Sequence, residues 1–153
     1  MTDITPDDLY NRALVYIVTM PRTERQVRTF LMKRNGSRDT CEHILARLKE
    51  ANLINDRSYA AQFADTKSTK LSRRAIRTKL AMRGISASLA DEALANIDAN
   101  SQDELARTVA AKYMRTKDTN PQTLLKLNRY LITKGFEYDT VSDIVSYYKR
   151  GGQ

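Results

Sequence analysis

The sequence predicts an all-α protein, a tandem array of three three-helix repeats that is elongated and curved. Two observations lead to this prediction. No segment sustains the alternation of apolar and polar residues that a strand requires. A spaced pattern of apolar, hydroxyl and turn residues also occurs three times along the 153 residues. Repeats of about 50 residues that pack mainly on their neighbours form such arrays.

Three leucines anchor the repeat: Leu31, Leu80 and Leu131. A hydroxyl residue stands eight positions before each leucine, a residue that tolerates positive φ four positions after it, and Asp or Ser eight positions after it. Hydroxyl and carboxylate groups accept hydrogen bonds from free amides at a helix start, whereas Gly or Asn follows a helix end. The pattern therefore predicts helix, tight turn, helix. The matched positions are Thr23, Ser72 and Thr123, then Asn35, Gly84 and Gly135, then Asp39, Ser88 and Asp139.

A further segment with helical apolar periodicity precedes each pair of helices, at residues 9–17, 59–64 and 105–114. We therefore expect three helices in each repeat. The predicted repeats span residues 7–54, 55–99 and 100–149, and a flexible C-terminal tail follows at residues 150–153.

Capping signals mark several helix starts. "TPDD" at 5–8 places Pro at a first helical position after a Thr cap, and "NP" at 120–121 starts another helix. "TERQ" at 23–26 and "SQDE" at 101–104 match the capping box, in which a hydroxyl and an acidic or amide side chain cap each other's backbone amides.

Composition bounds the location and the chemistry. No apolar run approaches the roughly 18 residues of a membrane span, and the start "MTDITPDDLY" lacks the features of a secretion signal. We expect a cytoplasmic protein with no membrane contact. Cys41 and His43 are the only residues of their types, and two positions apart on a helix they point apart. Without a phosphate-binding loop or a convergent carboxylate cluster, we expect no enzyme, no cofactor and no metal.

Positive charge is concentrated in the middle repeat. The formal net charge is +8, and residues 67–85 carry seven Lys or Arg and no acid. If residues 70–84 form a helix, Ile76 and Leu80 lie on its buried side, and four cations fall within an arc of about 100° on one flank. Such a stripe can meet phosphates or an acidic protein surface, or it can be a solvated face. The four cations are Lys70, Arg73, Arg74 and Arg77.

The other repeats carry weaker versions of the stripe. Five cations of the first repeat, Arg34 among them, face one acid, Glu24, over the same stretch of helix, and three in the third repeat, Lys134 among them, are unopposed between 121 and 136. We expect the second helices to present a shared contact face. Arg34, Arg83 and Lys134 lie at helix ends, where a cation offsets the helix dipole. The additional face residues are Arg22, Arg25, Arg28, Lys33, Lys126 and Arg129.

Several motifs resemble the RecX family of RecA regulators. "LINDRSYA" is similar to the family's Leu-x-Asp-Asp-x-Arg-Phe-Ala, with Asn55 replacing one Asp and Tyr59 the Phe. "KLAMRGI" is similar to Glu-Leu-x-x-Lys-Gly-Ile, with Lys79 replacing the acid, and "KLS" at 70–72 stands where members often have Gly-x-Gly. The resemblance covers roughly residues 8–148.

The resemblance implies a function. RecX proteins are built from three-helix repeats, bind the groove of RecA filaments on single-stranded DNA, and change recombinase, ATPase and co-protease activity, usually downward. They act in recombination, DNA repair and the SOS response and use no cofactor. For this chain it implies RecA filaments as partner, single-stranded DNA within the filament or direct DNA contact, and a monomer.

A helix-turn-helix DNA-binding protein acting without RecA is the alternative interpretation. Its form is present, because "LAMRGISASLADEALANI" reads as helix, Gly turn, helix. However, the helix that would read base edges offers Asp91 and Glu92 at 86–97, and only acids, hydroxyls and apolar groups at 139–148. The charge lies on the preceding helix, which favours contact with a backbone or a protein surface.

Overall fold

The computed structural model describes residues 4–152, and every regular element in that range is an α-helix. The predicted all-α class and the three helices per repeat are therefore confirmed. The helices are α1 (Pro6–Thr19), α2 (Glu24–Lys33), α3 (Arg38–Glu50), α4 (Asp56–Lys67), α5 (Arg73–Met82), α6 (Ala87–Ala95), α7 (Ala99–Met114), α8 (Pro121–Thr133) and α9 (Tyr138–Lys149).

The helices form two compact units. The first unit contains the chain up to Gln62 together with Leu80–Ala90, and the second contains Phe63–Lys79 and the chain from Asp91 onward. The divisions fall inside α4, α5 and α6, so the middle helices contribute to both units. The repeat boundaries deduced from the sequence stay a prediction.

In the first unit, α1, α2 and α3 pack around one apolar core. Leu31 is completely buried there, as the repeat pattern predicts. Tyr10 packs against this core from its edge, which agrees with its periodic spacing in α1. The other buried core residues are Leu9, Ala13, Val27, Cys41, Ile44, Leu45, Leu48 and Ile54.

The second unit has an equivalent core among α7, α8 and α9. Leu131 is completely buried, and Val145 and Tyr148 pack against the core from its edge. The same spacing that gives the first unit its core therefore gives the second unit one too. The buried residues are Ala106, Ala110, Met114, Leu127, Leu131, Phe136, Val141 and Ile144.

The predicted turns are confirmed. Asn35, Gly84 and Gly135 have φ values of 62°, 85° and 96°, in the left-handed region that ends a helix. The capping boxes at Thr5 and Thr23 are formed by reciprocal hydrogen bonds, and Pro121 follows an Asn cap at the start of α8.

The predicted capping box "SQDE" is wrong. Helix α7 begins at Ala99, and the carboxylate of Asp98 accepts a hydrogen bond of 3.2 Å from the Asn100 amide. Ser101 lies within the first turn and donates to the Asp98 carbonyl oxygen at 2.9 Å. Asp98 is a strong capping residue three positions earlier, so the helix starts there.

Two further capping predictions are also wrong. Asp39, Ser88 and Asp139 stand at the second position of their helices, where an acid still favours the positive end of the helix dipole. Thr123 likewise lies inside α8, and its amide donates to the Asn120 side chain at 2.8 Å. The residues directly before α3, α6 and α9 are Ser37, Ser86 and Glu137.

The C-terminal residues continue from α9 as a turn. The Gly151 and Gly152 amides donate to the carbonyl oxygens of Tyr148 and Tyr147, both at 3.1 Å. Residue 153 of the predicted tail lies outside the described residues. Across residues 4–152, no helix combines the length and the apolar character needed to cross a bilayer.

Candidate functional site

The start of α5 is held in the second unit by hydrogen bonds from three directions. The Ser72 hydroxyl caps the helix, accepting from the Ala75 amide at 3.1 Å, and donates to the Lys134 carbonyl oxygen at 2.6 Å. The amide of Arg73, the first residue of α5, donates to the Gln102 side-chain oxygen at 2.9 Å. These contacts, here called the second-unit junction, fix where the first turn of α5 presents its side chains.

Gly135 allows this junction to close. A Cβ atom at Gly135 would lie 2.5 Å from the Ser72 hydroxyl and 3.1 Å from the Arg74 Cβ, closer than non-bonded atoms normally approach. The glycine is therefore required twice, because its φ of 96° disfavours any side chain and its neighbours leave no space for one.

The first unit contains the same junction. The Thr23 hydroxyl donates to the Arg83 carbonyl oxygen at 2.6 Å, and the Glu24 amide donates to the Asp56 carboxylate at 2.9 Å. A Cβ at Gly84 would lie 2.6 Å from the Arg25 Cβ. Sequence reasoning interpreted these hydroxyl residues only as helix caps and missed their second bond, although their recurrence with a later Gly was the available signal.

The first turns of α5 line an open groove of about 550 Å³ in the second unit. Its lining combines arginines of α5, polar residues of α7, and a segment between α8 and α9 that ends in the exposed Tyr138. We call it the arginine groove. Its lining residues are Arg73, Arg74, Arg77, Ala99, Gln102, Asp103, Ile132, Gly135, Phe136, Glu137, Tyr138 and Thr140.

Arg73 is largely occupied inside the second unit. Its guanidinium donates to the Ile97 carbonyl oxygen and lies 3.7 Å from the Glu137 carboxylate, while its Nε is buried without a hydrogen-bond partner. Of the four predicted stripe residues, Arg73 is therefore the one whose charge is most engaged in holding the fold.

The other three stripe residues are exposed, with different surroundings. Arg77 forms a 2.5 Å ion pair with Asp91, whereas no carboxylate of residues 4–152 pairs with Arg74. The prediction of a helix over 70–84 is wrong at its start. Lys70 lies in the turn before α5, where its amide donates to the Lys67 carbonyl oxygen, because Ser72 caps the helix.

Tyr138 is a groove residue that sequence reasoning did not single out. Its side chain is 74% exposed at the start of α9, and it lines the groove together with Arg74. An exposed aromatic ring beside a guanidinium can stack on a base or cover an apolar group. Its exposure could not be predicted from the sequence, because tyrosine is intermediate in burial and also occurs at the edge of a core.

The first unit holds its cations differently. The Arg22 guanidinium lies 4.0 Å from the Tyr16 ring centroid, and Arg25 donates to the Met82 carbonyl oxygen. Lys33 is exposed at the end of α2, and no carboxylate of the described residues pairs with it. Arg22 and Arg25 therefore combine a structural contact with a position at the surface.

Arg28 is neutralised more fully than the sequence suggested. It pairs with Glu24 at 3.3 Å and with Glu42 of α3 at 2.8 Å. The hydrogen bond from Arg28 holds the pKa of the Glu42 carboxyl below its ordinary value and raises the pKa of Arg28. The expectation of a single opposing acid missed Glu42, because this acid comes from the next helix rather than from α2.

In the third repeat, Lys126 and Arg129 are exposed on α8, and no carboxylate of residues 4–152 pairs with either. Lys134 lies 5.3 Å from the Tyr130 ring centroid, near the end of the helix. The exposed residues of the predicted contact face in the second unit therefore lie on α8 as well as on α5 and the turn before it.

The described residues contain no cluster of three or more His, Cys, Asp or Glu side chains that could hold a metal ion. Cys41 is buried in the first core at 1% exposure, and its Sγ lies 3.6 Å from the Met32 sulfur. Burial raises the pKa of the Cys41 thiol, which disfavours the nucleophilic thiolate.

Two family models match the chain. The model of the second three-helix domain of RecX matches residues 55–94, and the model of the third three-helix domain of RecX matches residues 101–145. Together they cover the helices that build the second unit and the arginine groove.

Curated relatives extend the similarity toward the N-terminus. The chain is 32% identical over 128 residues to the regulatory protein RecX of Clostridium botulinum strain Eklund 17B, covering 81% of this chain and 60% of the relative. It is 30% identical over 139 residues to the regulatory protein RecX of Clostridium perfringens strain 13, covering 88% and 66%. The chain thus spans roughly three fifths to two thirds of these relatives.

Solved structures share the fold. A crystal structure of RecX from Lactobacillus salivarius matches with a TM-score of 0.85 and 28% identity over 92% of this chain and 94% of that one. A crystal structure described as regulatory protein RecX matches with a TM-score of 0.84 and 30% identity, over 91% of this chain and 72% of that one. Its repeats, its matched domains and these structures show that the chain belongs to the RecX family of regulatory proteins.

Proposed function

We propose that this chain is a regulator without enzymatic activity of its own, which binds RecA filaments on single-stranded DNA and lowers recombinase, ATPase and co-protease activity. It acts in the cytoplasm as a monomer, in recombination, DNA repair and the SOS response. Membership of the RecX family is the observation that carries this proposal.

The proposed contact surface is centred on the arginine groove. Arg74 and Arg77 are exposed in its lining, and Lys70 is exposed in the turn before α5. Arg77 is engaged only in an exposed ion pair, which contributes little to stability and is easily exchanged. A nucleoprotein filament offers both phosphates and acidic side chains to such cations. Arg73 positions the surface rather than touching the partner.

Further cations extend the proposed surface within each unit. In the second unit these are Lys126 and Arg129. In the first unit, Lys33 contributes an exposed ammonium group, while Arg22 and Arg25 contribute guanidinium groups that are already oriented by contacts with Tyr16 and Met82. Arg28 contributes least, because two carboxylates neutralise it.

Direct binding to DNA without RecA is the second candidate. The exposed ring of Tyr138, which lines the same groove as Arg74, favours it, because an aromatic side chain and a cation together suit an unpaired nucleotide. The positive charge lies on the flank of α5 and not on the helix after the Gly turn, which is the one that would enter the DNA groove and read bases. Such binding would therefore be independent of base sequence.

A salt series separates the two candidates. Binding of the chain to oligo(dT) and to RecA filaments on oligo(dT) is measured by fluorescence anisotropy as ionic strength rises. Binding dominated by phosphates falls steeply and linearly in a double-logarithmic plot. We expect filament binding to be tighter than binding to bare DNA and to depend less on salt. Equal affinities with equal slopes would favour a DNA-binding protein instead.

A further inference from the structure

The first unit carries a four-layer stack at the meeting of α1 and α2. The rings of Tyr16 and Phe30 stack with centroids 4.2 Å apart and an interplanar angle of 12°. The Arg22 guanidinium lies 4.0 Å from the Tyr16 centroid, and the Arg34 guanidinium lies 3.6 Å from the Phe30 centroid. Because one face of each ring is stacked against the other ring, each guanidinium group covers the opposite face of its ring.

The stack separates two grooves. Tyr16, Phe30 and Arg34 line both, so they form a common wall. The basic groove, of about 360 Å³, also contains Arg25 and Lys33 and has no carboxylate in its lining. Its remaining lining residues are Gln26, Thr29 and Met82.

The second groove is apolar. It has a volume of about 530 Å³ and runs along α1, with Val15 and Arg12 in its lining. Val15 is 66% exposed, and the neighbouring Val18 and Met20 are 83% and 53% exposed. Val15 lies in the groove lining, and Val18, three residues further along α1, is on the same side of the helix. Two exposed apolar side chains on the side of α1 that borders the groove favour an interaction surface over scattered exposure. The remaining lining residues are Asn11, Thr19 and the three of the common wall.

We propose that these two grooves bind an acidic amphipathic helix of a protein partner. Its apolar side chains would fill the apolar groove against Val15 and Val18, and its carboxylates would meet Lys33 and Arg34 in the basic groove. Helices dock by this arrangement when an apolar stripe is flanked by charge of the opposite sign. The positive charge of the linings favours a partner helix of negative charge, because every charged residue in both linings is a cation.

A protein helix fits this surface better than a nucleic acid does. The rings of Tyr16 and Phe30 have no free face for a base, because both faces of each are covered. Valine and methionine side chains provide apolar area without the flat π surface on which bases stack. The inference does not rest on the arginine groove, because its two grooves lie in the first unit, although Lys33 and Arg25 also belong to the filament surface proposed above.

The proposal is tested with a short synthetic helix carrying leucines at i, i+3, i+4 and i+7 and glutamates elsewhere. Its binding to the full chain is measured by fluorescence anisotropy. The same leucine pattern with lysines in place of glutamates, and oligo(dT), serve as matched probes. We expect binding of the glutamate peptide to exceed that of the lysine peptide at least tenfold. Equal binding of the two peptides, or preferential competition by oligo(dT), would overturn the proposal.

Two pairs of variants locate the site. Val15→Asp with Val18→Asp should weaken binding of the glutamate peptide at least tenfold, and Arg12→Glu with Lys33→Glu should do the same. The matched controls are Leu125→Asp, also an exposed apolar residue, and Lys112→Glu with Arg115→Glu, which change charge equally elsewhere. Equal losses in variants and controls would refute the assignment, as would self-association through Val15 and Val18 in sedimentation analysis. Failure of the peptide experiment would leave the proposed filament function standing, because that function is tested separately at Lys70 and Arg74.

Discussion

The Ser72 hydroxyl donates a 2.6 Å hydrogen bond to the carbonyl oxygen of Lys134, the residue before Gly135. The Thr23 hydroxyl makes the same bond to the carbonyl oxygen of Arg83, the residue before Gly84. In both units, a helix-capping hydroxyl thus also binds the end of the corresponding helix in the next repeat. One short motif therefore sets both the local helix start and the contact between successive repeats.

Replacing Ser72 with alanine should lower the free energy of unfolding by about 1–3 kcal/mol, because the change removes a helix cap and leaves the Lys134 carbonyl oxygen without this donor. The free energy is measured by urea unfolding. Ser142→Ala, an exposed serine in α9, is the control and should change stability by no more than about 0.5 kcal/mol. Equal effects at both serines would contradict the proposed role of the junction.

Alanine at Gly135 should destabilise the chain by more than about 2 kcal/mol, because strain at positive φ, of about 1 kcal/mol, is joined by a steric clash. Gly151→Ala provides the matched control. Gly151 also has positive φ, 109°, but a Cβ there meets nothing within 4 Å. The difference between the two variants, measured by thermal and urea unfolding, isolates the contact with Ser72. If the two losses are the same, the close approach at Gly135 is unimportant.

Arg73 and Arg74 are neighbours with different roles. Arg73→Ala should cost about 1 kcal/mol, because it removes the bonds to the Ile97 carbonyl oxygen and Glu137, partly offset by removal of the unpartnered Nε. Arg74→Ala keeps the Cβ that packs near Gly135 and should change stability by less than about 0.5 kcal/mol. Urea unfolding of the two variants checks this difference, and the reverse order would contradict it.

Cys41 gives the stability of the chain a dependence on pH. Burial raises the pKa of its thiol, so the folded state holds the proton to higher pH than the unfolded state does. This contribution is fully present below the thiol's ordinary pKa and is lost as pH rises through the folded-state value. The wild type should therefore lose stability in mildly alkaline solution faster than Cys41→Ala does. Parallel pH profiles for the two proteins would rule this out.

The positions of the helices could be predicted from the sequence, whereas the contacts between the helices could not. The helices could be predicted from the spacing between three buried leucines and the positive-φ residues that follow them, because helix termination depends on residues close together in the sequence. The leucines are Leu31, Leu80 and Leu131. The extra hydrogen bonds of Thr23 and Ser72 reach 60 and 62 residues along the chain, and helical periodicity carries no information about such partners.

The predicted site was limited for the same reason. Helical geometry placed Arg73 and Arg74 on one flank, but it could not distinguish an arginine engaged with Ile97 and Glu137 from one with an exposed charge. It also assumed that Lys70 belongs to the helix, although Ser72 starts α5 two residues later. Tyr138 went unnoticed because exposure of an aromatic ring depends on tertiary packing.

We propose that exposed cations in the arginine groove and in the turn before α5 mediate the regulation of RecA filaments. RecA-dependent ATP hydrolysis on single-stranded DNA, measured with increasing amounts of the chain, tests this proposal. We expect the wild type to inhibit hydrolysis, and Lys70→Glu with Arg74→Glu to need at least tenfold more protein for half-inhibition. Lys112→Glu with Arg115→Glu, which changes the charge equally in the same unit, should inhibit like the wild type. Unchanged inhibition by the Lys70 and Arg74 variant, with its helicity intact, would contradict the claim.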